Sequence, residues 1–545
     1  MSQERLEHDV IIVGAGFAGI YALHKLRSMG LDVLAIEAGT EVGGTWYWNR
    51  YPGARCDVPS VEYSFSFDDA LQEAWCWSEV MASQPEILQY AKHVADRFDL
   101  RRDILFDTEV LSARFDESAA KWVLKTKAGG EFVARFCLMA TGCLSVPNMP
   151  NLPGADEFAG EVYHTGTWPH EGVDFTGKTV GVFGTGSSGI QAIPMLAKQA
   201  RHLTVLQRTP HFTLPANNKP LAEEYVAEVK ADYAQIRDKA RHSIEGLFGQ
   251  DFGFGGRDDG RVDESAGSVK NTNPREREQL LDEFGFGAIR RFSDDFTDME
   301  ANEMLCELYR KQVRRVVTDP QTAEGLLPYD YPLGCKRIAF DTDYYETFNQ
   351  NAVTLVDLRR EALETITPRG AKTEKADYEF DCLVYATGFD AMTGALMRME
   401  IVGKGGERLR DCWEAGPRSY LGLQVAGFPN LFTITGPGSP SVLSNVMVSI
   451  EHHVEWIAEC LDYMAQQQLT VIEASLKAQD EWIQEVNQVA SATSLASPSC
   501  SSWYLGSNID DKPRMFMPYA GGVGNYRAKC DQIVKDNYKG FLMQA

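Results

Sequence analysis

Three things are missing from this sequence: a Cys-x-x-Cys pair, a run of eighteen uninterrupted apolar residues, and any excess of basic charge. The eleven cysteines are scattered from Cys56 to Cys530 without ligand spacing. That pattern points to free thiols in a reducing compartment. It argues against a disulfide framework, a zinc site or a dithiol redox centre, and no metal is expected. Without a long apolar run there is no candidate transmembrane helix. Residues 10–23 are apolar enough to imitate a secretion signal, but "MSQERLEHD" before them is net acidic and no clear small-residue cleavage site follows. A cytoplasmic location is expected. The net charge of −24 disfavours nucleic acid and anionic membrane as partners, so an anionic ligand must be met by a few local cations.

What is present describes a folded chain. The apolar fraction is 44%, glycine and proline are ordinary, and the length allows about three or four domains. The stretch "HDVIIVGAGFAGIYALHKLRSMGLDVLAIEAG" reads as strand, glycine loop, helix and a second strand ending in Glu37. Gly14 permits the tight turn, Gly16 lets a pyrophosphate approach the backbone, and Gly19 lets the helix lie close on the strand. The helix N-terminus supplies N–H donors and partial positive charge. Glu37, 23 residues after Gly14, is placed to accept both hydroxyls of a ribose. A glycine-rich turn in another strand–helix unit is the alternative; four parts in register favour a dinucleotide site.

The pattern returns as Gly184-x-Gly186-x-x-Gly189, but here the second strand runs into Gln207-Arg208-Thr209. A cation where the first unit has an acid suits a 2′-phosphate. This site is expected to take NADP(H), with Arg208 as discriminator and Thr209 as a hydroxyl donor. An exposed arginine after a strand is the plain alternative. "ATG" also occurs twice, at 140–142 and 386–388, each time after an apolar run. These turns resemble the crossings between interleaved domains in the two-dinucleotide flavoproteins, a resemblance that implies NADPH facing a flavin. With no dithiol to carry electrons onward, oxygen is the remaining oxidant.

Between the two loops lies "FAGEVYHTGTWPHE", which spells Phe158-x-Gly160-x-x-x-His164-x-x-x-Trp168-Pro169. Together with "GGTWYWNRYPGARCD" at 43–57, it resembles the type I Baeyer–Villiger monooxygenases, and the resemblance runs along nearly the whole chain. Related flavin N- and S-oxygenases have a similar Phe, Gly and His spacing without the Trp-Pro. His170 departs from the family, many members of which carry Asp there. The expected fold is α/β, with two interleaved Rossmann-like dinucleotide-binding domains. An FAD domain would comprise 1–145 and 390–545, and an NADP domain 146–220 and 335–389. Helical patterns at 225–236 and 304–317 mark 221–334 as a helical insertion in the latter.

The resemblance implies a reaction of FAD, NADPH, molecular oxygen and a small ketone, in which a C4a-peroxyflavin anion yields an ester or lactone. It implies that Arg337 is the active-site arginine, a permanent cation that keeps the peroxide ionised and stabilises the developing oxyanion. Asp57 matches the acid paired with it, and Lys336 a residue on the 2′-phosphate. Gly44 and Trp46 would lie on the flavin side. Trp503, in the Ser-rich loop 491–508, would cover the nicotinamide nucleotide. His164 and Trp168 are read as setting the geometry between domains, not as a general base. Ile450, Val454, Ile457, Leu461 and Met464 form one apolar helix face. Before it, "GPGSPSVLSN" resembles the pocket loop in the longer form of the phenylacetone monooxygenase branch. Ser441, Val442 and Leu443 would narrow the pocket towards aryl or linear aliphatic ketones. Two other readings stay open: an N- or S-oxygenase, and a redox-sensing nucleotide-binding protein without turnover.

Overall fold

The computed structural model describes residues 6–248, 267–294 and 298–545. Most of the glycine- and aspartate-rich part of the helical region lies outside them. The first glycine unit forms strand Leu6–Val13, helix Phe17–Ser28 and strand Val33–Ile36, with both strands parallel. Leu6–Val13 is sandwiched between Val33–Ile36 and the parallel strand Glu131–Met139. Val10, Ile11 and Ile12 are fully buried, as a strand covered on both faces requires. An antiparallel hairpin, Val110–Asp116 with Lys121–Thr126, extends this eight-stranded sheet, and Leu431–Thr433 returns late in the chain to pair with Glu131–Met139.

The second glycine unit builds a five-stranded sheet in the order Val353–Asp357, His202–Gln207, Thr179–Phe183, Cys382–Tyr385, Glu161–His164. All four of its pairings are parallel. The fold is thus α/β with two Rossmann-type sheets. The first sheet draws strands from both sides of the second in sequence, and the second is itself interrupted between 207 and 353 by the helical region.

The two glycine loops are built alike. Gly14 and Gly184 have φ of 104° and 105°. A Cβ on Gly14 would come 2.5 Å from the Ala140 carbonyl oxygen, and one on Gly184 would strike that of Ala386. Each loop therefore leans on one Ala-Thr-Gly turn. Side chains at Gly19 or Gly189 would collide with the carbonyls of Gly14 or Gly184.

Between the sheet strands at 202–207 and 353–357 the described residues form six α-helices: Glu223–Ala231, Tyr233–His242, Pro274–Phe284, Met299–Val316, Pro320–Gly325 and the short Tyr344–Thr347. The pattern at 225–236 is two helices broken at Asp232. No helix among the described residues is long and apolar enough to cross a membrane.

One expectation is overturned. Cys335 and Cys500 are joined in a disulfide with Cα atoms 6.0 Å apart, while the other nine cysteines are free. The bond ties the segment carrying Lys336 and Arg337 to the Ser-rich loop. Its partners are 165 residues apart, so no local spacing signals it.

Candidate active site

A cleft of about 1060 Å³ runs between the two sheets. Gly14, Gly16, Glu37, Gly44 and Trp46 line one end, and Gly184, Gly186, Arg208, Thr209 and Lys336 line the other. Asp57, Arg337, Val442 and Trp503 also line it. Gly19 and Gly189 do not, because they lie in the first turns of their helices and face the carbonyls of Gly14 and Gly184.

The first end has no room for side chains. A Cβ on Gly44 would lie 2.9 Å from the Gly16 Cα, so the two glycines form a bare backbone cradle. Glu37 is 5% exposed, and its carboxylate accepts from the N–H groups of Ala15 at 2.6 Å and Gly39 at 2.7 Å. Burial raises its pKa against those hydrogen bonds. Each carboxylate oxygen keeps a lone pair for a ribose hydroxyl. Trp46 donates its indole N–H to the Tyr63 hydroxyl at 3.1 Å.

The second end is cationic. Lys336 holds its ammonium 4.2 Å from the centre of the Tyr331 ring, and burial followed by the charge of Arg208 pushes its pKa down to about 8. Two cations brought together in this way call for an anion. A Cβ on Gly186 would meet open space, which leaves that helix N-terminus accessible. The ends are coupled through the family-like 43–57 stretch. Tyr51 donates to the Gln191 side chain at 2.8 Å, and the Gln191 amide donates to the Arg55 carbonyl at 3.1 Å.

At the centre, Arg337 donates from Nε and Nη2 to the two oxygens of Asp57, both at 2.7 Å, and from Nη1 to the Val442 carbonyl at 2.9 Å. Burial alone would lower the pKa of Arg337, but the charge and hydrogen bonds of Asp57 raise it well above the ordinary arginine value. It is a fixed cation. Tyr504, whose phenol is pushed up to about 12 by burial, sits against this pair. Sequence reasoning missed Tyr504; its one signal is adjacency to Trp503.

The fingerprint residues lie outside the cleft lining. Its strand Glu161–His164 is the edge of the second sheet, next to Cys382–Tyr385. His164 accepts from the Gly166 N–H on Nδ1 at 2.9 Å, and its Nε2 is 3.3 Å from the Thr387 hydroxyl of the second Ala-Thr-Gly turn. Burial lowers its pKa to about 4. Trp168 is buried between Tyr163 and Phe175, and Pro169 follows it. A Cβ on Gly160 would strike the Asp381 carbonyl, and the Phe158 ring packs beside it. These residues brace a turn; none reaches the cleft.

In the pocket loop, Ser441–Leu443 form one short 3₁₀ turn, and only Val442 lines the cleft. Ser441 is fully buried, with its hydroxyl 3.2 Å from the Cys143 sulfur, and Leu443 packs into the main core. The turn alternates their directions, which the sequence pattern did not show.

Comparison with known proteins now bears on the assignment. Residues 11–246 match the family model described as pyridine nucleotide-disulphide oxidoreductase. The chain is 38% identical over 547 residues to a Baeyer–Villiger monooxygenase of Pseudooceanicola batsensis, covering 98% of this chain and 96% of the relative. It belongs to the type I Baeyer–Villiger monooxygenases. A structure of an oxidized steroid monooxygenase bound to NADP superposes on this one with a TM-score of 0.90 at 46% identity, covering 99% of each chain. A phenazine N-monooxygenase of Lysobacter antibioticus is 40% identical over 100% of this chain and 98% of its own. In this Baeyer–Villiger monooxygenase the Trp-Pro fingerprint sits at the sheet edge behind the nucleotide ends.

Proposed function

We propose that this enzyme binds FAD at the Gly14 end and NADPH at the Gly184 end, and inserts one oxygen atom from O2 beside a ketone carbonyl to give an ester or lactone. The observation that carries this reading is the position of Arg337. Held by Asp57, it stands between an acid-capped glycine loop and a cationic one. The bare cradle at Gly16 and Gly44 fits a pyrophosphate, Glu37 a ribose, and Arg208 with Lys336 a 2′-phosphate. When bound, the flavin supplies the chemistry that takes two electrons from NADPH and passes them to oxygen.

The chain's own residues orient and stabilise. Arg337 brings a permanent positive charge to the negative charge that develops on the attacking oxygen and the ketone oxygen. Asp57 fixes the plane of the guanidinium, and the Val442 carbonyl links it to the pocket loop. Trp503 closes the nicotinamide side of the cleft. We assign residues 1–145 and 390–545 to the flavin domain, 146–220 and 335–389 to the NADP domain, and 221–334 to an insertion. His164 and Trp168 set the angle between the domains.

Aryl or linear aliphatic ketones are the substrates we favour, because Val442 projects a stiff β-branched side chain into the cleft. The 46% identical relative is named for steroids, so polycyclic ketones belong in any test. N-oxygenation is the second reading, favoured by the relative named for phenazine N-oxidation. Mass spectrometry of products from ketones, thioethers and N-heterocycles with NADPH and oxygen decides between them. Esters from ketones support the proposal; N-oxides alone overturn it.

A further inference from the structure

Thr435 and Leu421 are non-glycine residues with left-handed backbones, φ 55° and 60°. They sit on neighbouring segments, where the Thr433 N–H donates to the Leu423 carbonyl at 2.8 Å and its hydroxyl to the Gly422 carbonyl at 2.7 Å. Thr435 lines the cleft and starts the segment that carries Val442. Such conformations persist only where the surroundings enforce them.

One histidine reaches both. His453, fully buried in helix Val446–Gln466, takes the Thr435 N–H on Nδ1 at 3.0 Å. Its Nε2 lies 2.7 Å from the hydroxyl of Tyr526, which in turn donates to the Leu421 carbonyl. The direction of every proton is forced. A backbone N–H only donates and a carbonyl only accepts, so Nδ1 is bare and Nε2–H donates to Tyr526. An imidazolium would lose the Thr435 bond. Burial pushes the pKa of His453 down to about 3, which keeps the ring neutral.

The consequences reach the cation. The carbonyl and hydroxyl of Thr435 lie 3.6 and 3.7 Å from the Cys143 sulfur, which is 3.2 Å from the Ser441 hydroxyl. Ser441 begins the turn whose Val442 carbonyl holds Arg337.

We propose that His453 and Tyr526 are positioning residues for oxygen transfer: a neutral, one-directional relay that holds Thr435 and Leu421 left-handed and so sets the wall at 435–446 against flavin and ketone. The proposal rests on the flavin monooxygenase reading above but uses neither residue as acid or base.

The test compares His453→Leu, His453→Asn and Tyr526→Phe with the wild-type holoenzyme. An asparagine carbonyl can take the place of Nδ1, so His453→Asn keeps the Thr435 bond. The readouts are visible circular dichroism of bound FAD, KM for NADPH, and ester formed per NADPH consumed. Leu and Phe should alter the flavin dichroism and lower ester yield per NADPH by roughly fivefold or more with little change in KM, and Asn should recover most of the loss. Wild-type dichroism and yield in folded His453→Leu would overturn the relay. Should Leu fail to fold, nitrogen-15 NMR of wild-type His453 decides. A neutral Nε2–H tautomer at neutral pH supports the proposal, and an Nδ1–H tautomer or imidazolium ends it. If the wild type oxygenates no ketone, the Baeyer–Villiger reading fails, and tautomer and dichroism still judge the relay.

Discussion

Asp57 grips Arg337 in a fork, each carboxylate oxygen accepting one guanidinium N–H at 2.7 Å, and the third side of the arginine is tied to the Val442 carbonyl. Three fixed contacts leave little rotational freedom. A pair of this geometry specifies orientation as well as charge.

Replacing either partner should therefore separate chemistry from cofactor binding. Arg337→Ala is expected to bind FAD and be reduced by NADPH, at least slowly, and to form almost no ester. Asp57→Ala should slow both reduction and oxygenation, because the arginine is no longer oriented. Stopped-flow reduction and product analysis on each variant check this. Normal ester yield in Arg337→Ala would remove the arginine from the mechanism.

Coenzyme choice should follow the cationic end. Losing one charge-assisted contact to a 2′-phosphate costs about 1.5–3 kcal/mol, roughly tenfold or more in affinity. We expect strong preference for NADPH, and Arg208→Ala should act chiefly through a higher KM for it. Equal use of NADH by the wild type would contradict the assignment.

The same site predicts a pH dependence. The pKa of Lys336 is lowered to about 8 in the free protein, by burial and then by Arg208. A bound dianion favours the ammonium and raises that pKa, so binding takes up a proton once the pH exceeds the free value. KM for NADPH should therefore be flat below about pH 7 and climb towards about pH 9, while KM for NADH, which lacks the phosphate, should not. Lys336→Ala should abolish the climb. An unchanged slope in that variant would place the titrating group elsewhere.

The disulfide offers a structural test. Closing 165 residues, the Cys335–Cys500 bond joins the arginine segment to the Trp503 loop. Bonds of this kind are worth about 2–4 kcal/mol. Cys500→Ser, or reduction, should lower the melting temperature by several degrees and speed proteolysis within 491–508. Thiol counting on the denatured, unreduced protein should find nine free groups, as the structure has; eleven would show that the bond does not form.

Much of this was legible before any coordinates, and unevenly. Gly19 and Gly189 could be read because each meets the carbonyl of Gly14 or Gly184 within one strand–turn–helix unit, and Gly14 and Gly184 because the turn itself demands φ of 104° and 105°. Local geometry writes itself into local spacing. Arg337 and Asp57 are 280 residues apart, and only the family resemblance brought them together. Tyr504, Cys143 and His453 escaped altogether. Their partners are Arg337, Ser441 and Thr435, and no periodicity reports a hydrogen bond between distant segments. The cysteines misled for the same reason. The apolar stripe from Ile450 to Met464 was plain, because a buried helix face repeats at every turn.

The pocket loop carries the last expectation. Of Ser441, Val442 and Leu443, only Val442 reaches the cleft, where its side chain packs in the same apolar patch as Trp503 and Met392. Its carbonyl serves Arg337, so a substitution there can change pocket volume while leaving the arginine contact in place. Val442→Gly removes the branched side chain at a backbone cost of about 0.5–1 kcal/mol. One hydrophobic group of this size discriminates between substrates by roughly 10–200-fold. We therefore expect Val442→Gly to raise kcat/KM for polycyclic ketones by at least about tenfold and to change that for phenylacetone only a few-fold. Deleting Ser441 and Val442 together should widen the range too, but at the expense of coupling, since Arg337 then loses its carbonyl partner. A panel of aryl, linear, monocyclic and polycyclic ketones, assayed for ester per NADPH, provides the measurement. Efficient wild-type turnover of polycyclic ketones with none of aryl or linear ones would show that Val442 is no gate.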